Sequence, residues 1–165
     1  MLWEEANTAA FRRQVEPLLD SEEVQHMRRF RRHADGVSCY DHSVFVAYVS
    51  FRLARRLGLD YRAAARAGLL HDLALRDWNE TDVGRLRRLV VHPRVAAQDA
   101  ERFGISALER DIILKHMWPL TPALPRHRES FVVSFADKVC ACAEMLHVYS
   151  AAHIGQRLVP APVLG

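Results

Sequence analysis

The segment GLLHDLA, residues 68–74, sets the hardest condition on any fold open to this chain. It is an apolar, helix-forming run, yet it carries His71 and Asp72 side by side. An ionised carboxylate taken out of water costs several kcal/mol unless a partner compensates it. Any fold that buries this run must therefore supply such a partner or turn the pair toward solvent.

The same conflict recurs along the sequence. His42 opens the apolar stretch 42–58, His92 stands before Pro93 at an expected helix start, His116 closes another helix, and Asp137 interrupts FVVSFADKV. Leu108, Ile112 and His116 are spaced i, i+4, i+8, which places His116 on a core-facing stripe. Ala64, Ala67 and Gly68 precede the His71-Asp72 pair and allow a neighbouring helix close approach.

Helical periodicity accounts for most of the chain. Helices are expected over 6–19, over 21–33 behind a Ser21 cap, over 42–58 up to Gly58, and over 60–75 behind Asp60. A polar stretch at 76–84 leads to a short helix at 85–91. Further helices are expected over 92–104 with Pro93 in the first turn, over 106–118 behind a Ser106/Glu109 capping box, and over 131–153. Residues 34–41 and the proline-rich 119–130 read as loops, and 156–165 as an irregular tail. With no convincing two-residue alternation, the expected fold class is all-α, a single-domain helical bundle over 1–165.

Bulk properties narrow the function. A chain of 165 residues, half of them apolar, is large enough for one core of its own. Its net charge is +3, and of its 23 basic residues only Lys115 and Lys138 are lysines, a bias that resembles codon usage more than a nucleic-acid surface. MRRFRR (27–32) reads as a solvated helix face, so nucleic acid is not an expected partner. The N-terminal residues are acidic and then polar, and no apolar run nears the ~18 residues of a membrane span, so a cytoplasmic location is expected. Cys39, Cys140 and Cys142 are expected as free thiols, with the 140/142 pair in a helix core and metal binding as its alternative.

One inward histidine is ordinarily a satisfied core residue. His42, His71, His92 and His116 together with Asp72 and Asp137 are too many to satisfy separately in a core of this size. A shared cation resolves the difficulty, because metals accept neutral imidazole and ionised carboxylate together.

The order His42, His71-Asp72, His92, His116, Asp137 resembles the HD superfamily of metal-dependent phosphohydrolases. The branch it resembles uses two additional histidines to hold a second metal. YDHSVFVAYVSFRLARRLG is similar to the family's first ligand helix, AARAGLLHDLAL to its signature helix, and VSFADKVCA to the helix of the last aspartate. The resemblance runs over about 38–145, and HPRVAAQDAERFG with IILKHMWPL is similar to a subgroup of small stand-alone bacterial members.

It implies a first metal on His42, His71, Asp72 and Asp137, and a second on Asp72, His92 and His116. Two divalent ions against two aspartates and a hydroxide leave about +1, which suits a small anionic substrate such as a phosphate ester. An acidified water is then expected to attack phosphorus, with Asp72, His71 and Lys115 as the groups nearest the chemistry. Nitrogen and oxygen donors without thiolate favour Fe or Mn over Zn, Ni or Mg.

Lys115, Lys138, Arg94 and Arg126, with His127 and Arg128, are candidate phosphate contacts, against the plain reading of surface charge. Trp118 is expected to cover the site or stack on a base, and Asp77 and Trp78 to line its entrance. His26, His33, His147 and His153 fit no ligand position. An HD-fold di-iron oxygenase and a non-catalytic metal-binding regulator stay open as alternatives. The G-Y-P signature of the cyclic-dinucleotide branch is missing after His116.

Overall fold

A computed structural model of the chain describes residues 5–31, 36–73 and 84–158. Its elements in chain order are α1 (Glu5–Leu19), α2 (Glu22–His26), α3 (Cys39–Arg56), α4 (Tyr61–Leu70), α5 (Arg85–Ala100), α6 (Ala107–Lys115), α7 (Arg128–Met145), α8 (Val148–Ala151) and α9 (Ile154–Leu158). Among the described residues there is no strand, and an isolated antiparallel bridge joins Arg31 to Ser38. The fold is all-α. Asp77, Trp78, His33 and the end of the expected tail fall outside the described residues.

The centre of the bundle is α3. From Cys39 to Phe51 nearly every side chain is buried, the pattern of a helix covered on all sides. Helices α1, α4, α7 and α9 pack on it, and α6 bridges α4, α5 and α7. Phe11 of α1 enters this core fully buried, edge-on to Tyr48 at 5.3 Å and tilted against Phe51 at 5.8 Å. Helix α4 approaches α3 closely because Gly68 lacks a side chain: a Cβ there would lie 3.0 Å from the Ala47 Cα. The small residues ahead of the His71-Asp72 pair thus serve the crossing expected of them.

Several boundaries differ from the sequence reading. Helix α3 starts at Cys39 rather than His42, because Ser38 and Asp41 form a reciprocal capping box that the loop reading of 34–41 passed over. The expected helix 21–33 is instead α2 followed by a 3-10 turn at Met27–Arg29. Helix α4 ends at Leu70, so His71 caps its C-terminus and the His-Asp pair sits on a turn. The two helices expected at 85–91 and 92–104 are one, since α5 runs through Pro93, and His92 lies mid-helix.

Helix α7 takes in Arg128–Ser130 from the expected loop and stops at Met145. His147, at φ 57°, divides the expected single helix 131–153 into α7 and α8, and past His153, at φ 49°, α9 turns residues 156–158 of the expected irregular tail into helix. A left-handed residue just past a helix end is a regular terminator. The caps by Ser21, Asp60 and Ser106 form as expected. Cys140 is buried but Cys142 is exposed, which corrects the reading of both as core; all three cysteines are free thiols. No helix among the described residues is long and apolar enough to cross a membrane.

Candidate metal centre

Five helices bring the six singled-out side chains to one point. His42 comes from the first turns of α3, His71 and Asp72 from the turn that ends α4, His92 from the middle of α5, His116 from the C-cap of α6, and Asp137 from the middle of α7. His42 and His71 are fully buried, His116 is 1% exposed, and the side chain of His92 is 12% exposed.

In every one of the four histidines the Nδ1 atom is bonded away from the cluster. His71 Nδ1 donates to the Gly68 carbonyl, His92 Nδ1 to the Arg88 carbonyl and His116 Nδ1 to the Ile113 carbonyl, each at 2.7 Å. Two of these acceptors, Gly68 and Ile113, are carbonyls near helix C-termini, which lack a full set of backbone donors. Ending α4 and α6 at His71 and His116 is therefore what allows each ring to turn inward. His42 Nδ1 donates to both carboxylate oxygens of Glu144, at 2.9 and 3.1 Å. With Nδ1 committed as a donor, each ring presents Nε2 to the centre.

The carboxylates divide the four rings into two pairs. Asp72 Oδ2 lies 3.3 Å from His71 Nε2 and 4.0 Å from His42 Nε2. Its other oxygen, Oδ1, lies 3.4 Å from His92 Nε2 and 3.7 Å from His116 Nε2. Asp137 Oδ1 faces the first pair, 3.1 Å from His42 and 3.6 Å from His71. Asp137 Oδ2 accepts from Lys138 Nζ at 3.0 Å, and Lys138 also donates to the His116 carbonyl.

This arrangement fits divalent cations. His71 Nε2 is buried with no hydrogen bond. His92 and His116 point Nε2 at Nε2 across 2.9 Å, and with both Nδ1 atoms donating elsewhere this is a meeting of lone pairs that a shared cation would relieve. Among the described residues two donor sets lie close enough to hold an ion, His42/His71/Asp137 and His71/Asp72/His116, with His71 in both.

Without metal, protons take the same role. Burial disfavours a charged His71, but Asp72 and Asp137 outweigh it and push its pKa up to about 10. Burial likewise opposes charge on His42, and its bonds to Asp137 and Glu144 prevail and raise it. His116 goes the other way: burial, reinforced by the neighbouring imidazoles of His71 and His92, which disfavour a further positive charge, pushes it down to about 3. Asp137 would be raised by burial, yet its contacts with His42 and then His71 hold it well below the usual carboxylate range.

The flanking residues are less concentrated. Lys115 is half-buried in the last turn of α6, one residue before His116. Trp118 is half-buried and meets Phe131 edge-on at 5.1 Å. Arg94, Arg126, His127 and Arg128 are exposed. Among the described residues no hydrogen bond or ion pair joins the side chain of Arg94 or Arg126 to the cluster, and Arg126 meets Asp111 through its backbone N–H. His26 packs against Phe30, and His147 and His153 are exposed.

Glu144 was missed by the sequence reading. It is fully buried, in a stretch otherwise taken as core, and its spacing of two helical turns from Asp137 was the available signal.

A family model described as HD domain matches residues 39–142. A protein of Pseudothermotoga lettingae named Ribonuclease Y is 32% identical over 110 residues, which are 67% of this chain and 20% of that protein. The chain thus spans about a fifth of the length of that relative. No solved structure matches the chain.

Proposed function

This chain belongs to the HD-domain family, whose superfamily is one of metal-dependent phosphohydrolases, and on that premise we propose that it hydrolyses a small phosphate ester or diester at a dinuclear metal centre. The observation that carries the proposal is the division of Asp72: one oxygen turns to His42 and His71, the other to His92 and His116. A carboxylate so placed suits two ions sharing a bridge. In this reading His42, His71, Asp72 and Asp137 hold the first ion, and Asp72, His92 and His116 the second.

Bound there, such ions acidify water near neutral pH and neutralise the oxygens of a phosphoryl group. The protein's own part is positioning. The Nδ1–H bonds hold each ring in the tautomer that keeps Nε2 free of a proton once metal is bound. Lys138, tied to Asp137 and to the His116 carbonyl, holds the last aspartate in place. Lys115 is the cation we assign to the substrate, with Arg94 and Arg126 as outer attraction for an anion and Trp118 as cover. Fe or Mn suits this nitrogen-rich, thiolate-free set better than Zn, Ni or Mg.

The relative's name, Ribonuclease Y, favours a nucleotide phosphodiester as the bond cleaved. Metal content and activity test the proposal together. Protein purified without chelator should carry about two ions per chain and should release product from a short RNA or a nucleotide diester but not from a carboxylic ester. One ion or none, with no phosphate ester turned over, would refute it. Turnover that requires dioxygen would favour the di-iron oxygenase.

A further inference from the structure

Three histidines of the cluster donate Nδ1–H to main-chain carbonyls, whereas His42 donates its own to a charged group. We infer that Glu144 is a positioning residue that acts through His42 and makes the His42/His71 position the first of the two to fill with metal. The inference rests on the dinuclear reading above.

His42 and Glu144 are both fully buried, and the Nδ1–H of one meets both oxygens of the other at 2.9 and 3.1 Å. Glu144 lies seven residues after Asp137 on α7, two turns along the same face. One helix therefore grips the ring at both ends, Asp137 at Nε2 and Glu144 at Nδ1. Among the described residues no lysine or arginine forms an ion pair with Glu144, so its buried charge is compensated through the imidazole. A cation on Nε2 supplies that compensation, since an anionic acceptor on Nδ1–H makes the opposite nitrogen a stronger donor.

Among the described residues, the two positions then differ in the negative charge that faces them. The first faces Asp72 and Asp137 directly, with Glu144 one ring removed. The second faces Asp72, and its two histidines rest on the carbonyls of Arg88 and Ile113. His92, one of them, is also the most exposed of the four rings, which keeps part of that position in contact with water. Divalent cations bind more tightly where more carboxylate charge is placed and water is excluded.

The test uses Mn2+ and a competing chelator to measure both dissociation constants in the wild type, Glu144→Gln and His92→Ala. Glutamine keeps the shape and the acceptor while removing the charge. Glu144→Gln should weaken the tighter constant about ten- to a hundred-fold and leave the weaker one in place. His92→Ala should remove the weaker alone. Equal weakening of both constants by Glu144→Gln, or of neither, would overturn the inference while leaving a wild type with two ions intact. A wild type that binds no ion would instead overturn the dinuclear reading itself.

Unsubstituted protein gives a second readout that needs no variant to fold. With histidines labelled by nitrogen-15, one equivalent of Zn2+ should shift the Nε2 signals of His42 and His71 ahead of those of His92 and His116. Signals of all four moving in step would contradict ordered filling.

Discussion

At the scale of residues, the buried imidazoles set opposite slopes on stability. In the metal-free protein His116 titrates at about 3 when folded and at its ordinary 6.5 when unfolded. The unfolded chain binds the extra proton between those values, so stability rises with pH across that window. His71 does the reverse: folded, it keeps its proton up to about 10, so its contribution is complete below 6.5 and is lost as pH climbs toward 10. Asp137, held below its ordinary 3.8, adds a contribution present above that value and lost as pH falls through the folded pKa. Urea midpoints measured in chelator should therefore peak near the unperturbed imidazole value of about 6.5. A midpoint that stays level or rises from 6.5 to 10 would contradict the charged state assigned to His71. Saturating metal should flatten that alkaline fall, because binding removes the same protons. Asp72 gives the second residue-scale prediction. Because its two oxygens face both histidine pairs, Asp72→Ala should lower metal content toward zero, whereas His92→Ala should leave one ion. Mass-spectrometric metal analysis of the two variants distinguishes them, and equal losses would argue against a shared aspartate.

At the scale of elements, the crossing of α3 and α4 decides where the His-Asp turn points. Gly68→Ala puts two effects in competition. Alanine is worth up to about 1 kcal/mol over glycine inside a helix. Against this, its Cβ would sit 3.0 Å from the Ala47 Cα, a backbone atom of the central helix that cannot rotate away. Overpacking of this kind costs about 1–3 kcal/mol, so the substitution should be net destabilising in urea titration. It should also reduce metal content, since the Gly68 carbonyl holds His71 Nδ1. A stabilised Gly68→Ala protein would show that the two helices have slack. Phe11 tests the other side of α3. It is fully buried against Tyr48 and Phe51, so Phe11→Ala should cost about 3–5 kcal/mol and loosen α1, while metal content at saturation changes little.

For the whole molecule, a metal held by this cluster would tie together five helices, and binding to the folded state alone would stabilise it by mass action. Free metal at about a hundred times its dissociation constant corresponds to about 2.7 kcal/mol, so chelator should lower the melting temperature by several degrees. An unchanged melting curve would mean that the cluster holds no ion in solution. Much of this molecule was legible before its fold was known. An apolar period near 3.6, broken by caps at Ser21, Asp60 and Ser106, was enough for an all-α class, because helix formation and capping are local. Ionisable residues set into apolar runs named the six clustered side chains, because burial of charge without a partner is costly wherever it occurs. Other features depended on contacts between distant segments. That α5 continues through Pro93, that α4 and α6 end just before His71 and His116 so these rings can turn inward, and that Asp72 divides its oxygens are outcomes of packing. Glu144 belongs with them: its two-turn spacing from Asp137 puts both acids on one helix face, but only packing brings that face to a histidine 102 residues earlier. Local chemistry along the chain determined which ionisable side chains needed a partner for their burial; only the tertiary structure, by setting rings and carboxylates a few ångströms apart in a water-poor interior, decided that they would face one another.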